Sequence, residues 1–266
     1  MLEGLLGSKA VEKILLFLFV NEKGYGTQMG KLLEVPLTPI QNGLSRLEKY
    51  RVVLSQEEGK RKVYRFNPSY PFRSELENLL KKAYTLLPAD EKKRYCFVHK
   101  PRLSLQAERR RDRGRKKELA AFWERLTEVT RLSVVAKSRE LEEEQRKEGK
   151  AVVEVFSPTA TTILFEEKGI WSIEPLADTE FTNRFRWTLD RESSLITLEH
   201  LRYGASHPVF LFHLTPTKPG VIESVDAHLC GEDTYLGHIL WDPKSVVFNW
   251  RIIGPKKNTH LVYLYK

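Results

Sequence analysis

Residues 8–21, SKAVEKILLFLFVN, begin with a polar residue and then repeat apolar side chains at helical spacing. Val11, Ile14, Leu15, Leu18 and Phe19 fall on one side of that helix, and Ser8 is placed to cap its first turn. Leu16 and Phe17 widen the stripe beyond what one small domain needs. Two shorter helical patterns follow, YGTQMGKLLE from residue 25 and LTPIQNGLSRLEKY from residue 37, around the turn residues Val35 and Pro36. In the second, Ile40, Leu44 and Leu47 stand at i, i+4 and i+7, which turns Pro39, Gln41, Asn42, Ser45, Arg46 and Lys49 outward. Thr38 is the expected N-cap, with Pro39 at the first helical position, where its missing N–H costs nothing. Residues 52–55 and 63–66 read as two strands joined by Gln-Glu-Glu-Gly-Lys-Arg-Lys, with Gly59 supplying positive φ at the turn. An amphipathic helix over 72–87 places Leu76, Leu79, Leu80, Ala83 and Leu87 on one side, and Pro88 ends it.

From residue 119 the pattern changes. ELAAFWERL predicts a short helix, and the remainder alternates with the period of strands. The predicted strands are 131–137, 151–156, 161–166, 181–189, 209–214, 221–230, 234–241, 246–253 and 260–265. Within 181–189, Phe181, Phe185, Trp187 and Leu189 share one face with Asn183, while Thr182, Arg184, Arg186 and Thr188 share the other. So many antiparallel strands favour an up-and-down barrel or a sandwich. A barrel of about eight strands can enclose one small ligand.

Charge divides the chain in the same place. Of a net +9, residues 1–120 carry 26 Lys+Arg against 14 Asp+Glu, whereas residues 121–266 carry 18 against 21. A basic partner surface therefore belongs to the N-terminal half. Residues 88–118 run polar and basic through RRRDRGRKK and read as a solvated linker that could also neutralise phosphates. The patch around 140–144 reads as a solvated loop. Cys96 and Cys230 are far apart, which excludes a disulfide framework or a zinc-finger spacing. The apolar run 14–20 is too short to span a membrane and makes a poor signal peptide, so the expected compartment is the cytoplasm.

Two helices followed by a basic hairpin solve one physical problem: a helix lies in the major groove while a cationic loop grips flanking phosphates. Gln, Asn and Arg can address adenine and guanine edges bidentately. The expected DNA contacts are Thr38, Gln41, Asn42, Ser45, Arg46 and Lys49 on the helix, with Lys60, Arg61 and Lys62 on the hairpin. This stretch, about residues 5–87, resembles the winged helix-turn-helix of ArsR-like and MarR-like bacterial transcription regulators. The resemblance implies binding of double-stranded DNA, and the apolar faces of 11–19 and 76–87 read either as packing within the domain or as a homodimer interface.

Near the C-terminus, His228-x-Cys230-x-x-Asp233-x-Tyr235 is followed by Trp250-Arg251 and Gly254-Pro255-Lys256-Lys257. Together with Phe185-x-Trp187, this order resembles a family of small lipocalin-like β-barrel domains with no assigned reaction, over roughly 120–266. The resemblance implies a barrel and a cavity. From the residues alone, Asp226, His228 and Cys230 alternate onto one strand face, and Asp233 and Tyr235 share a face of the next. Three uses compete: a metal site of Asp226, His228 and Cys230, a Cys230 nucleophile with His228 as base, and a hydrogen-bonded polar cluster at the barrel mouth. The cluster extends to small-molecule binding if Arg186, Arg251 and Lys256 add positive charge and Trp187, Tyr235 and Trp250 add flat walls, a lining suited to an anionic or aromatic ligand.

The chain thus reads as an α+β multidomain protein. Its expected parts are a winged helix-turn-helix over 1–87, a basic linker over 88–118, and an antiparallel lipocalin-like barrel over 119–266. The expected function is a DNA-binding transcriptional regulator, not an enzyme, whose barrel senses a small effector through Arg186, His228, Cys230, Asp233, Tyr235, Trp250, Arg251 and Lys256. It needs no cofactor, no metal and no membrane, and acts as a homodimer. The rival reading is a barrel enzyme with the N-terminal module as a targeting or protein-interaction element.

Overall fold

The computed structural model describes residues 1–59, 61–96, 105–140, 143–172 and 178–266, of which 105–112, 139, 140, 143 and 144 are described by backbone alone. Lys60, one of the expected phosphate contacts, lies outside the described residues. The chain divides near residue 97 into two compact units, the first built on the N-terminal residues and the second on most of the remainder.

The N-terminal unit runs α1 (Glu3–Leu6), α2 (Lys9–Asn21), β1 (Lys23–Tyr25), α3 (Gly26–Leu32), α4 (Leu37–Lys49), β2 (Val53–Glu58), β3 (Arg61–Phe66), α5 (Arg73–Thr85) and α6 (Ala89–Tyr95). Ser8 caps α2 by accepting the Val11 N–H at 3.4 Å, as its position predicts. The wide apolar stripe of α2 has a simple cause: Ile14, Leu15, Leu16, Phe17 and Leu18 are all at most 1% exposed, so the helix is enclosed on nearly every side. Each such side chain contributes about 2 kcal/mol by leaving water.

Helix α4 begins two residues earlier than its sequence suggests. Pro36, at φ −52° and ψ 148°, is the residue before its first turn, so Thr38 lies inside that turn and is not the cap. The extended backbone that proline favours sets the start of the helix without help from a threonine hydroxyl. Ile40, Leu44 and Leu47 are buried as the spacing requires. The hairpin β2–β3 is longer than expected, paired from Val53↔Phe66 to Glu58↔Arg61, and Gly59 takes φ +63° beyond it. Strand β1 adds to its β3 edge, giving the order β1-β3-β2. On α5, Leu80 and Ala83 are buried, while Leu76 and Leu79, and Leu87 beyond the end of the helix, are half-buried. The centre of that stripe is therefore covered by the protein's own chain.

The segment read as a linker contains α6 and the first part of α7 (Leu105–Thr127). Its charge suggested a solvated coil, but Arg, Lys, Gln, Glu and Ala are good helix formers, and no proline interrupts 105–127. The predicted helix over ELAAFWERL is only the C-terminal part of α7.

The second unit continues β4 (Arg131–Glu140), β5 (Glu143–Thr159), β6 (Thr162–Ser172), β7 (Thr179–Asp190), β8 (Leu195–His200), β9 (Val209–Lys218), β10 (Val221–Ser224), β11 (His228–Cys230), β12 (Asp233–Asp242), β13 (Ser245–Gly254) and β14 (Lys257–Tyr265). Strands β4 to β10 pair in chain order, β14 pairs β4, and β10 pairs β12, so ten strands close into an antiparallel up-and-down barrel with β11 as an addition beside β12. Closure leaves those strands no free edge. The expected strand 221–230 breaks into β10 and β11, because β10 must pair with both β9 and β12 at the closing seam. Strand β8 is not legible in the sequence: only Ile196 and Leu198 are buried apolar residues, too few to display a period, and the next inward position is His200, stacked on Phe185. The patch expected to be a loop carries strand pairing through Arg139↔Glu144 and Glu140↔Glu143, with 141–142 outside the described residues.

Helix α7 fills one end of the barrel. Leu119, Phe122, Trp123 and Leu126, spaced as one helical face, join the barrel core. Phe122 meets Trp241 at 5.5 Å between ring centres, the Glu118 carboxylate accepts the Gly220 N–H at 2.6 Å, and Arg125 donates to the Lys244 carbonyl at 3.1 Å. Among the described residues, no helix is long and apolar enough to cross a membrane.

Candidate functional site

Strand alternation sends every second side chain into the barrel. Deep inside, Phe165, Trp187, Leu198, Phe212 and Phe248 are at most 1% exposed. Towards the end opposite α7, the inward-facing Trp171, Phe181, Asn183, Tyr235 and Leu261 are only half-buried. Solvent therefore reaches the inner face there.

One carboxyl group lies between the dry bottom and that end. Glu167, on β6, is 0% exposed. It shares the inward parity of Ile163 and Phe165, and its cross-strand neighbours are Asn183 on β7 and Val153 on β5. Tyr265 donates its hydroxyl hydrogen to Glu167 Oε1 at 2.7 Å, and Asn183 donates from Nδ2 to Oε2 at 3.1 Å. Burial pushes the carboxyl up to about 7, against the two hydrogen bonds, which favour the charged form. The same burial, with the Glu167 charge nearby, raises the hydroxyls of Tyr263 and Tyr265 well above their ordinary value. An aromatic wall continues from the cluster: Tyr265 lies 5.5 Å from Phe165 and 5.9 Å from Tyr263, which stacks on Trp250 at 5.4 Å. The indole N–H groups of Trp187 and Trp250 are buried without a hydrogen-bond partner.

The family model described as a family of unknown function, DUF6314, matches residues 128–266, more than half of the chain. The chain belongs to this family. No curated protein and no solved structure gives a significant match to it.

The expected ligand residues all fall within the DUF6314 domain, but the barrel sorts them differently. Arg186 and Arg251 are on the outer face, alternate to the inward Trp187 and Trp250. Arg186 pairs there with Glu199, its cross-strand neighbour, at 2.7 Å, and Arg251 donates to the Thr259 carbonyl at 3.3 Å. Lys256 is exposed in the turn between β13 and β14. Trp250 is part of the buried core. Asp226 lies in the exposed bend before β11 and not on its strand, so the alternation expected of Asp226, His228 and Cys230 fails at its first member. Cys230 is a free, exposed thiol. Among the described residues, no three of His, Cys, Asp and Glu gather as metal ligands would.

The signature motifs do meet at one end of the DUF6314 barrel. His228 lies 5.8 Å from Tyr235 and 5.0 Å from Phe210, ring centre to ring centre, and burial lowers its imidazole below the ordinary value, favouring the neutral form. Lys257 donates to the Tyr235 hydroxyl at 3.4 Å. Asp233 occupies the space left by the missing side chain of Gly254, its carboxyl carbon 2.9 Å from where a Cβ would stand. His-x-Cys, Asp-x-Tyr and Gly-Pro-x-Lys are thus parts of one rim, held by ring contacts and close packing.

Glu167 was missed because the predicted strand 161–166 stops one residue short of it. Its signal was present in the parity of TILFEEKGIWS, which places a carboxyl where the core alternation calls for an apolar residue. Asn183 was legible on the apolar face of its strand.

A second candidate surface lies outside the family match, on α4. Gln41, Asn42, Ser45, Arg46 and Lys49 are all exposed, as is Thr38. The cations beside them already have partners. Arg46 donates to the Leu6 carbonyl at 2.8 Å, and Arg61 stacks on the Tyr25 ring at 4.6 Å. Lys62 pairs with Glu48 at 2.8 Å, and the Ser55 hydroxyl donates to the same carboxylate. The Lys62 and Ser55 hydrogen bonds hold Glu48 below the usual carboxylate range. All these partners are solvent-accessible, so exchanging them for phosphate costs little.

Proposed function

We propose that this protein is a DNA-binding regulator whose N-terminal unit acts as a winged helix-turn-helix and whose barrel takes a small molecule. The observation that carries the reading is α4: five side chains able to meet bases or phosphates share its exposed face, beside a hairpin bearing Arg61 and Lys62. The element order α2-β1-α3-α4-β2-β3, with β1 closing a three-stranded sheet, suits that use. Ligand control would act through whichever state of the chain the ligand binds more tightly.

The test is selection of bound duplexes from a random pool, followed by affinity measurements across salt concentrations. Arg46→Ala should weaken the selected site by about 1–3 kcal/mol and relax its sequence preference. Arg61→Ala should weaken all duplexes alike and lower the salt slope by about one. An unenriched pool, or affinities indifferent to both substitutions, would refute the reading.

Pairing of two copies belongs to the same proposal, supported by Phe72 and Leu86, large apolar residues exposed at the two ends of α5. Sedimentation at micromolar concentration should give a dimer that Phe72→Glu with Leu86→Glu dissociates. A wild-type monomer would remove this part.

A further inference from the structure

We propose that the barrel binds a small organic cation, a protonated amine on a flat apolar body, with the charge on Glu167 and the body against the aromatic wall above it. The inference rests on the small-molecule part of the proposed function and is independent of the DNA part.

The sign of the charge comes from what faces inward. An anionic ligand needs interior cations, and the arginines expected to supply them, Arg186 and Arg251, lie on the outer face with protein partners. Lys257 sits at the rim on the Tyr235 hydroxyl. Inside the barrel the ionisable groups are the Glu167 carboxyl from β6, the Tyr263 and Tyr265 hydroxyls from β14 and the His200 imidazole from β8, which stacks on Phe185 at 4.7 Å and is held below its ordinary value by burial and the Arg202 charge, favouring its neutral form; neutral Asn183 is opposite Glu167 on β7. The only full charge this set can carry near neutral pH is negative.

Two further observations point to an occupant. First, Glu167 receives one hydrogen bond on each oxygen, and each oxygen keeps acceptor capacity for an N–H donor. The contiguous faces of Phe165, Tyr265, Tyr263 and Trp250 are the surroundings that favour a cation beside a carboxylate. Second, Trp187 and Trp250 hold buried indole N–H donors without partners; an ammonium has only donors, so these groups call for an acceptor on the body of the ligand and not for its charge. Asn183, bonded to the carboxylate, is itself half-buried, as are Trp171 and Phe181 beyond it on the side away from α7. A carboxyl wholly buried inside a barrel, hydrogen-bonded on both oxygens and surrounded by rings, is a candidate for a binding group.

The experiment is calorimetric titration of the full chain, without DNA, with three probes of one shape: 2-phenylethylamine, phenylacetate and 2-phenylethanol. The amine should bind at least tenfold more tightly than the other two. At pH 6 its binding should release protons, read from buffers of different ionisation enthalpy, because Glu167 must ionise to receive it, and its affinity should rise towards pH 8. Glu167→Gln should lose at least tenfold in amine affinity and all proton release, whereas Glu199→Gln, which removes a carboxyl from the outer face where it pairs with Arg186, should retain amine binding at pH 8 within about threefold. Preference for the anion or the alcohol, no saturable amine binding at millimolar concentration, or equal loss in both variants overturns the inference. Amine binding that leaves DNA affinity unchanged would sink the regulator reading and leave this one standing; DNA binding without amine binding does the reverse.

Discussion

Glu167→Gln should stabilise the protein at pH 8 by about 3 kcal/mol and leave it nearly unchanged at pH 4. The direction follows from where the proton resides. The folded carboxyl titrates at about 7 and the unfolded one at 4.5, so between those values the folded state holds the extra proton. Stability from this group is fully present below pH 4.5 and is lost as pH rises through 7, where the buried group must ionise. Glutamine avoids that ionisation. Its amide oxygen still accepts from Tyr265, and Asn183 can turn its own oxygen towards the new NH2 group. Urea unfolding of both proteins at pH 4, 6 and 8 isolates the effect, since the other carboxylates cancel in the difference. A variant that is no more stable than wild type at pH 8 would show that the carboxyl is not held in a dry site.

Phe122→Ala should cost about 3–5 kcal/mol, as much as losing a ring from the middle of a core. Phe122 is 0% exposed, packs on Trp241, and belongs to the face of α7 that fills the barrel end. This helix precedes the family match at 128, so the folded domain is larger than the family boundary. Denaturant unfolding of the full chain, read by the barrel tryptophans, checks the value. A loss below about 1 kcal/mol would mean that α7 rests on the barrel without completing its core.

Legibility followed physical range. The helices α2, α4 and α5, and most barrel strands, are local events, and a period of 3.6 or 2 in the apolar positions is enough to reveal them. The burial of Ile40, Leu44 and Leu47, and therefore the exposure of Gln41, Asn42, Ser45, Arg46 and Lys49, follows from spacing alone. Asn183 was legible for the same reason. Composition misled once: the basic run 109–117 looked like a solvated linker, yet charge does not prevent a helix when nothing breaks it.

The site was less legible, because a binding site is a meeting of distant residues. His228, Asp233 and Tyr235 read as one polar group because they stand amid apolar strands. His228 and Tyr235 do lie 5.8 Å apart, and the barrel adds to each of the three a neighbour that sequence could not show: Phe210 to His228, Gly254 to Asp233, and Lys257 to Tyr235. Arg186 and Arg251 were expected inside beside their tryptophan neighbours, but adjacent residues on a strand face opposite ways, so an inward Trp187 or Trp250 places its arginine outward.

By itself the sequence determined most of the order of elements, which face of those helices and strands is apolar, and the placement of the basic surplus in the N-terminal half. Tertiary structure alone decided that ten strands close, that α7 fills one end, and that Glu167, Asn183 and Tyr265 meet inside. Periodicity fixes which face of an element is apolar, but closure and strand register fix which faces meet. Glu167 and Tyr265 stand 98 residues apart, and only the barrel brings them within a hydrogen bond.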